Sequence, residues 1–474
     1  MLFAGWQLVM PPEFQSIRGL NPRAVVAWRS WFGAPWDPRA VAVDVYRTLF
    51  RTFIVIAWVA YAGLLWFVAR GARLGTGWTW PVAIPLVAAL AVAMPATLST
   101  DVFAYVGYAR MSVVHGLNPH LHTQAELIRL ADPTTPYLRW PISSPYGPLW
   151  TLFSMAVVFA GRQISSAPSE AAAIVGPVIA FKLAAGLALL GAAAVAGAIA
   201  RRTAPERATG VFVLVALNPL LLVEGPGNGH NDLVMMALLL TAIAAVGVGR
   251  LRRAALIVGT AAAVKLVPLI VVPWLTALEA RARRGFRLPV AALTIALALS
   301  PVIVAYAPLW GGPRTLGGLV ARWRSGDPAA LKRSRPVRAD GATSTATGES
   351  ADGSLSAPGS TAALPGADAT SAGAKPLWSF LRRLLYASPA FLIYLWATLA
   401  ICIGQGDSAY RLAAVWSYVA LGILAFAAGL WCSWYLAWVW PTLVLRFTRP
   451  HLMLAAFAVP FSLLLMLAYA TPPG

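Results

Sequence analysis

Apolar residues in this chain fall in long unbroken blocks, not in stripes at helical spacing with a polar face opposite. Clear blocks lie near 53–69, 80–98, 172–200, 208–224, 232–248, 288–309, 389–404, 412–430 and 451–470. Each approaches the ~20 residues that a bilayer-crossing helix needs. Two less regular runs occupy 254–279 and 432–446. The pattern predicts an all-α fold, a polytopic integral membrane helical bundle of about 10–11 transmembrane helices. Interfacial helices are expected in its first large outer loop.

Charge then orients the blocks. Arginines gather at Arg201, Arg202 and Arg207, at Arg250, Arg252 and Arg253, at Arg281, Arg283, Arg284 and Arg287, and at Arg446 and Arg449. Cytoplasmic loops carry such an excess. With these clusters inside, 172–200 ends inside, 208–224 leaves and 232–248 returns. The loop "EGPGNGHND" (224–232) then faces outward, as does all of 101–171. Within it, "SPYGPLWTLFSMAVVFAG" is expected to lie in the outer interface, where Trp and Tyr are favoured. Run 254–279 has arginines on both flanks and Lys265, Pro268 and Pro273 in its middle. Prolines interrupt helices, so a re-entrant hairpin with Lys265 near its tip is expected. Run 53–69 enters from outside, which strands the arginines of 1–50 on the wrong side. An additional helix upstream would cure that conflict.

The organisation follows: an N-terminal segment 1–50, a transmembrane core 51–324 with outer loop 99–171, a polar insert 325–376, and C-terminal helices 377–474. The insert is rich in Ser, Gly, Ala, Thr and Pro and has little to bury, so disorder is expected. "LWSFLRRLL" after it reads as a short interfacial helix.

Composition adds limits. Hydrophobic residues make up 59% of the chain and charged ones 11%, where a soluble surface needs roughly a quarter. The net charge of +20 reflects topology, and nucleic acid is not an expected partner. Cys402 and Cys432 form neither a disulfide framework nor a metal motif. Residues 1–30 lack a cleavable signal pattern. No Walker loop, GxGxxG fingerprint or HExxH occurs. His115, His120 and His122 lack a recognised ligand spacing and are read as loop residues. No cofactor and no metal site are expected.

Against this apolar background a few polar residues stand out. Asp101 follows the second block. In a helix, Asp101, Tyr105 and Tyr108 share one face while Arg110 points the other way. Ser99, Thr100 or Asp101 could simply cap that helix, yet an ionisable residue at membrane depth is also a functional candidate. His230, Asn231 and Asp232 open a helix after a Gly/Pro break. They could hold a phosphate or a sugar hydroxyl, or Asp232 could complement the helix dipole. Lys265 could snorkel to the interface or meet a lipid phosphate. "WCSWYLAWVWP" (431–441), with Trp434 and Tyr435, is either an aromatic belt or a carbohydrate platform. "YLRWPISSPYGPLW" offers Trp140, Tyr146 and Trp150 in the same way.

Taken in order, "TDVFAY", "GLNP", "SPYGPLW", "NPLLL", "GHND", "VKLVPL" and "SWYLAWVWP" resemble the C-type (GT-C) glycosyltransferases. The chain is most similar to the actinobacterial polyprenyl-phosphomannose-dependent alpha-mannosyltransferases of lipomannan assembly. The resemblance spans about 80–445 without the insert. It implies an inverting glycosyltransferase, with mannose as the expected sugar. It also implies a polyprenyl-phosphate donor and a glycan or glycolipid acceptor. Localisation would be the cytoplasmic membrane, multi-pass, with the site on the extracytoplasmic side among membrane lipid. Asp101 then takes the general-base position. Lys265, His230 and Arg110 are candidates for the donor phosphate. Tyr105, Tyr108, Asn118, Trp140, Tyr146, Asn231, Asp232, Trp434 and Tyr435 are candidates for sugar or acceptor. Two departures, "CSWY" for a Pro-preceded Trp-Tyr pair and "LNPHLH" for Asn/Asp-Pro-Tyr, bear on acceptor and sugar. The competing class is a transporter or lipid-carrier flippase, built on broken helices and buried charge. An inert scaffold with the same fold is a third.

Overall fold

The computed structural model describes residues 43–75, 77–94, 99, 101–135, 138, 142–164, 170–318, 391–404, 407–424, 433–445 and 449–469. Trp140, the insert 325–376, the "LWSFLRRLL" segment and most of 1–50 lie outside them. Among the described residues every element is helical. The first six helices are α1 (Val43–Ala69), α2 (Thr79–Ala93), α3 (Asp101–Val113), α4 (Ala125–Arg129), α5 (Pro148–Ile164) and α6 (Glu170–Arg201). Then come α7 (Ala208–Ala216), α8 (Pro219–Leu222), α9 (Asp232–Gly247), α10 (Leu251–Val264), α11 (Val272–Ala282) and α12 (Leu288–Tyr306). After the insert follow α13 (Phe391–Ile403), α14 (Ser408–Gly422), α15 (Trp440–Leu443) and α16 (Arg449–Tyr469).

Three of these are long and apolar enough to cross a bilayer: Arg51–Ala69, Ala173–Arg201 and Leu288–Leu309. A fourth span results if the bent pair Pro205–Ala216 and Pro219–Gly227, kinked by 48°, counts as one. Thr79–Ala93, Asp232–Gly247, Phe391–Ile403 and His451–Leu464 are apolar but shorter. The sequence blocks are longer than these helices because caps and turns trim them. Asn218 shows how: its side chain accepts from the amides of Leu220 and Leu221, so it ends α7 and caps α8 within one apolar block.

Helix α6 is the hub, packing against α2, α5, α7 and α9. Its sequence explains this. Ala185, Ala192, Ala193 and Ala196 are fully buried, and a Cβ on Gly186 would meet Val87 of α2 at 2.5 Å. Lipid gives helices no hydrophobic reason to associate, so small residues that let backbones approach carry the packing. A second close approach joins α10 to α12, where Gly259 faces the Ala298 carbonyl.

The two ends of the chain meet. Trp58, Tyr61 and Trp440 form an aromatic cluster in which Tyr61 stands edge-on to both tryptophans. Trp58 Nε1 donates to Met466 Sδ at 3.4 Å, Trp440 Nε1 to Ser462 Oγ, and Tyr61 Oη to the Leu214 carbonyl. The C-terminal helices therefore belong to the same packed body as α1.

Run 254–279 is broken as its prolines imply. Helix α10 ends at Lys265, which is extended (φ −156°, ψ 125°), and a 3-10 turn Val267–Val271 leads into α11. Arg250, Arg252 and Arg253 line one cleft of about 360 Å³ together with Glu279 and Arg283. Both arginine-bearing ends thus sit at one face, with Lys265 at the far tip. The run therefore folds as a hairpin of two helices joined through Lys265 and the 3-10 turn.

Candidate active site

Just ahead of α3 the Ser99 hydroxyl accepts the Asp101 amide at 3.1 Å, satisfying one of the free N–H groups of a helix start. Asp101 keeps its carboxylate free of that task, with its side chain 18% exposed. An ionisable neighbour comes from 129 positions further along the chain: His230 Nδ1 lies 3.8 Å from Asp101 Oδ2.

His230 is held from below. Helix α8 widens into a π-turn, Val223–Gly227, whose Glu224 is buried. Such turns carry an extra residue and recur at functional sites. Gly229 then takes φ +75°, a conformation that favours glycine. Its Cα packs against Lys182 of α6 and Val102 of α3, where a Cβ would meet both at 3.1 Å. The chain is thereby turned so that the His230 amide donates to the Glu224 carbonyl at 3.1 Å. The His230 Nε2 lies 3.4 Å from Glu224 Oε2. Asn228 Nδ2 donates to the same carboxylate oxygen at 3.1 Å.

Two residues beyond His230, Asp232 is buried at the start of α9 and accepts from two side chains. Lys265 Nζ donates to its Oδ1 at 2.6 Å, and Trp438 Nε1 donates to the same oxygen. Lys265 also sits 4.8 Å from the Tyr435 ring centroid and 5.2 Å from that of Trp438. Such cation–π contacts contribute ~0.5–2 kcal/mol each. The 3-10 helix Ser433–Trp438 is what aligns Tyr435 and Trp438: at three residues per turn, positions i and i+3 eclipse. The charges of both Asp232 and Asp101 act on Lys265.

The two halves of the cluster are joined by Tyr105. Its hydroxyl accepts the Asn231 amide at 3.5 Å, and its ring stands edge-on to Tyr146 at 4.7 Å. Burial, with the Asp101 and Asp232 charges adding to it, raises the Tyr105 hydroxyl well above the ordinary phenol range, so it stays protonated. Asn231 is buried, and its Nδ2 has no hydrogen-bond partner among the described residues. Tyr108 touches Tyr146 and donates to the Ile142 carbonyl at 2.8 Å. Gly147 locks this outer loop to the hairpin: its amide donates to the Val264 carbonyl at 3.1 Å, and a Cβ there would lie 2.3 Å from the Ala263 oxygen.

Not every sequence candidate joins. Arg110 is engaged elsewhere: its Nε lies 3.1 Å from both Asp132 oxygens and its Nη2 3.1 Å from Oδ2. It anchors the outer loop through that pair. Asn118 likewise donates to the Leu309 carbonyl at 2.7 Å and accepts the His120 amide, so it braces the loop against the end of α12. Trp140 and the Trp434 side chain lie outside the described residues. Sequence reading passed over Glu224, Asn228 and Trp438.

The outer loop carries a pH dependence of its own. Burial opposes ionisation of Asp132, but Arg110, Thr134 and His115 outweigh it and hold the carboxyl below its ordinary value. Burial also pushes the His120 imidazole down to about 4, against a smaller backbone contribution from Ser144. A folded-state pKa below the unfolded one gives stability that is full above the unfolded value and drains as pH falls to the folded one. For His120 that window runs from roughly 6.5 down to about 4. The thermal midpoint in detergent is expected to drop between pH 7.5 and 5, and to drop less in His120→Phe. Equal drops in both would show that His120 is not responsible.

The arginine cleft contains none of these residues, so charge and candidate chemistry occupy opposite ends of the hairpin. No curated protein matches the chain. A family described as alpha-(1->6)-mannopyranosyltransferase, N-terminal domain, matches residues 17–281, more than half of the sequence. That stretch holds Asp101, Glu224, His230, Asp232 and Lys265 together. The chain belongs to this MptA_B family of membrane alpha-mannosyltransferases and is a glycosyltransferase.

Proposed function

We propose that the protein moves a mannosyl residue from a polyprenyl-phosphate donor to a glycan or glycolipid hydroxyl, with inversion, at the outer face of the cytoplasmic membrane. The observation that carries this reading is Asp101: a partly open carboxylate, uncommitted to capping, 3.8 Å from His230. The acceptor oxygen attacks the anomeric carbon and its proton passes to Asp101. The bond from the anomeric carbon to the phosphate oxygen breaks, and the electron pair leaves with that oxygen. A positioned base of this kind contributes ~10²–10⁴-fold.

Lys265 is the donor proposed for the phosphate; His230, buried with its ring nitrogens facing Asp101 and Glu224, is proposed to act through Asp101. Lys265 already has Asp232 as its counter-ion, and an ammonium has three N–H groups. It therefore offers a directed hydrogen bond with little net charge. The rings of Tyr435 and Trp438, beside Lys265, and of Tyr146, beside Tyr105, suit the apolar C–H faces of a sugar. A lipid-borne donor keeps its tail among the helices, and a nucleotide site is not needed. Family membership in a set of transferases leaves the transporter and scaffold alternatives without support.

The test is transfer in liposomes holding the purified protein, a polyprenyl-phosphate mannose donor and a short mannoside. A new alpha-mannosidic bond is expected. Full activity with a soluble nucleotide-sugar, and none with the lipid donor, would overturn the donor assignment.

A further inference from the structure

A carboxylate that is 1% exposed cannot touch a substrate. Yet Glu224 faces a side chain that in turn faces Asp101. Its Oε2 lies 3.4 Å from His230 Nε2, while His230 Nδ1 lies 3.8 Å from Asp101 Oδ2. The imidazole thus sits between two carboxylates, one buried and one partly open.

We infer that Glu224 is a positioning residue for mannosyl transfer, holding the His230 ring so that Nδ1 stays turned toward Asp101. This rests on Asp101 being the base. An imidazole has two distinct nitrogens, and the partner of one decides what the other can do. With Glu224 facing Nε2 at 3.4 Å, flipping the ring would withdraw that nitrogen from a buried carboxylate. The π-turn is the structural means. It brings the Glu224 carbonyl to the His230 amide and the Glu224 carboxylate to the His230 ring at once. Asn228 Nδ2, donating to Oε2 at 3.1 Å, holds the carboxylate itself in place.

The surroundings carry few other charges. Helices α2 and α6 and the 3-10 segment Ser433–Trp438 pack on the π-turn. Of these, α2 brings no ionisable group, the 3-10 segment brings Tyr435, and α6 brings Lys182, whose backbone and Cγ lie against Gly229. Lys182 Nζ donates to the Met94 carbonyl at the end of α2.

The experiment is a double-mutant cycle in reconstituted protein, with Glu224→Gln, His230→Asn, the pair, and Asp101→Asn. Glu224→Gln is expected to lower kcat ten- to a hundredfold with KM for the lipid donor within twofold. In the His230→Asn background it should change kcat by less than twofold, because its only route to the reaction is already gone. Glu224→Asp, which keeps the charge but withdraws it by one methylene, should lose kcat similarly; it carries the test if the Gln variant is not recovered folded. Independent, multiplicative losses in the cycle would overturn the inference in favour of a merely structural Glu224. Wild-type kcat in Glu224→Gln with an inactive Asp101→Asn would overturn it alone. An active Asp101→Asn would remove the base assignment, and this inference with it.

Discussion

Asp101→Asn is expected to cut kcat for mannosyl transfer by at least a hundredfold while leaving protein yield and donor affinity close to wild type. The reasoning is local. The amide is isosteric with the carboxylate, and the Asp101 backbone amide is taken up by the Ser99 hydroxyl, so the helix start survives. What disappears is the proton acceptor. General bases contribute ~10²–10⁴-fold, and proximity alone supplies the remainder. Single-turnover transfer from a labelled lipid donor measures the chemical step directly. Retention of more than a tenth of the wild-type rate would mean that some other group takes the proton.

Lys265→Met is the second large effect, and it has two separable components. Asp232 is buried, and Lys265 is its charge partner at 2.6 Å. Breaking a buried pair by removing one member costs ~3–5 kcal/mol; Lys265 is itself partly exposed, so the lower end is expected. The Trp438 N–H softens the loss by still donating to Asp232. The single variant should therefore show a lower thermal midpoint and little transfer. Adding Asp232→Asn removes the stranded charge. The double variant should recover the midpoint and remain poor in transfer, with KM for the donor raised at least tenfold. If the double variant recovers transfer as well, Lys265 serves only to balance Asp232 and has no part in holding the phosphate.

Much of this site could be read from the chain because lipid-facing sequence is quiet. Asp101, the His230–Asp232 triplet and Lys265 are conspicuous in apolar surroundings, and a charge there needs a reason. Glu224 escaped because it ends an apolar block and looks like the first residue of a loop. Nothing local signals that a π-turn will fold it under His230. Trp438 escaped for a geometric reason: it joins Tyr435 at i+3 only when the segment winds as a 3-10 helix. Arg110 misled in the opposite direction. Its partner, Asp132, lies 22 residues on in an irregular loop, where periodicity has no purchase. The junction of α1 with α16, joined by Trp58 and Met466 across 408 positions, leaves no local trace at all.

The hairpin 251–282 has a bearing on parity. A segment whose two ends lie together adds no net traverse of the bundle, so α12 starts from the end at which α9 stops. The length of α12 then delivers Leu309 to the loop that holds Asn118, which donates to its carbonyl. Were α10 and α11 a single straight rod, those two residues would lie at opposite ends of the helix bundle.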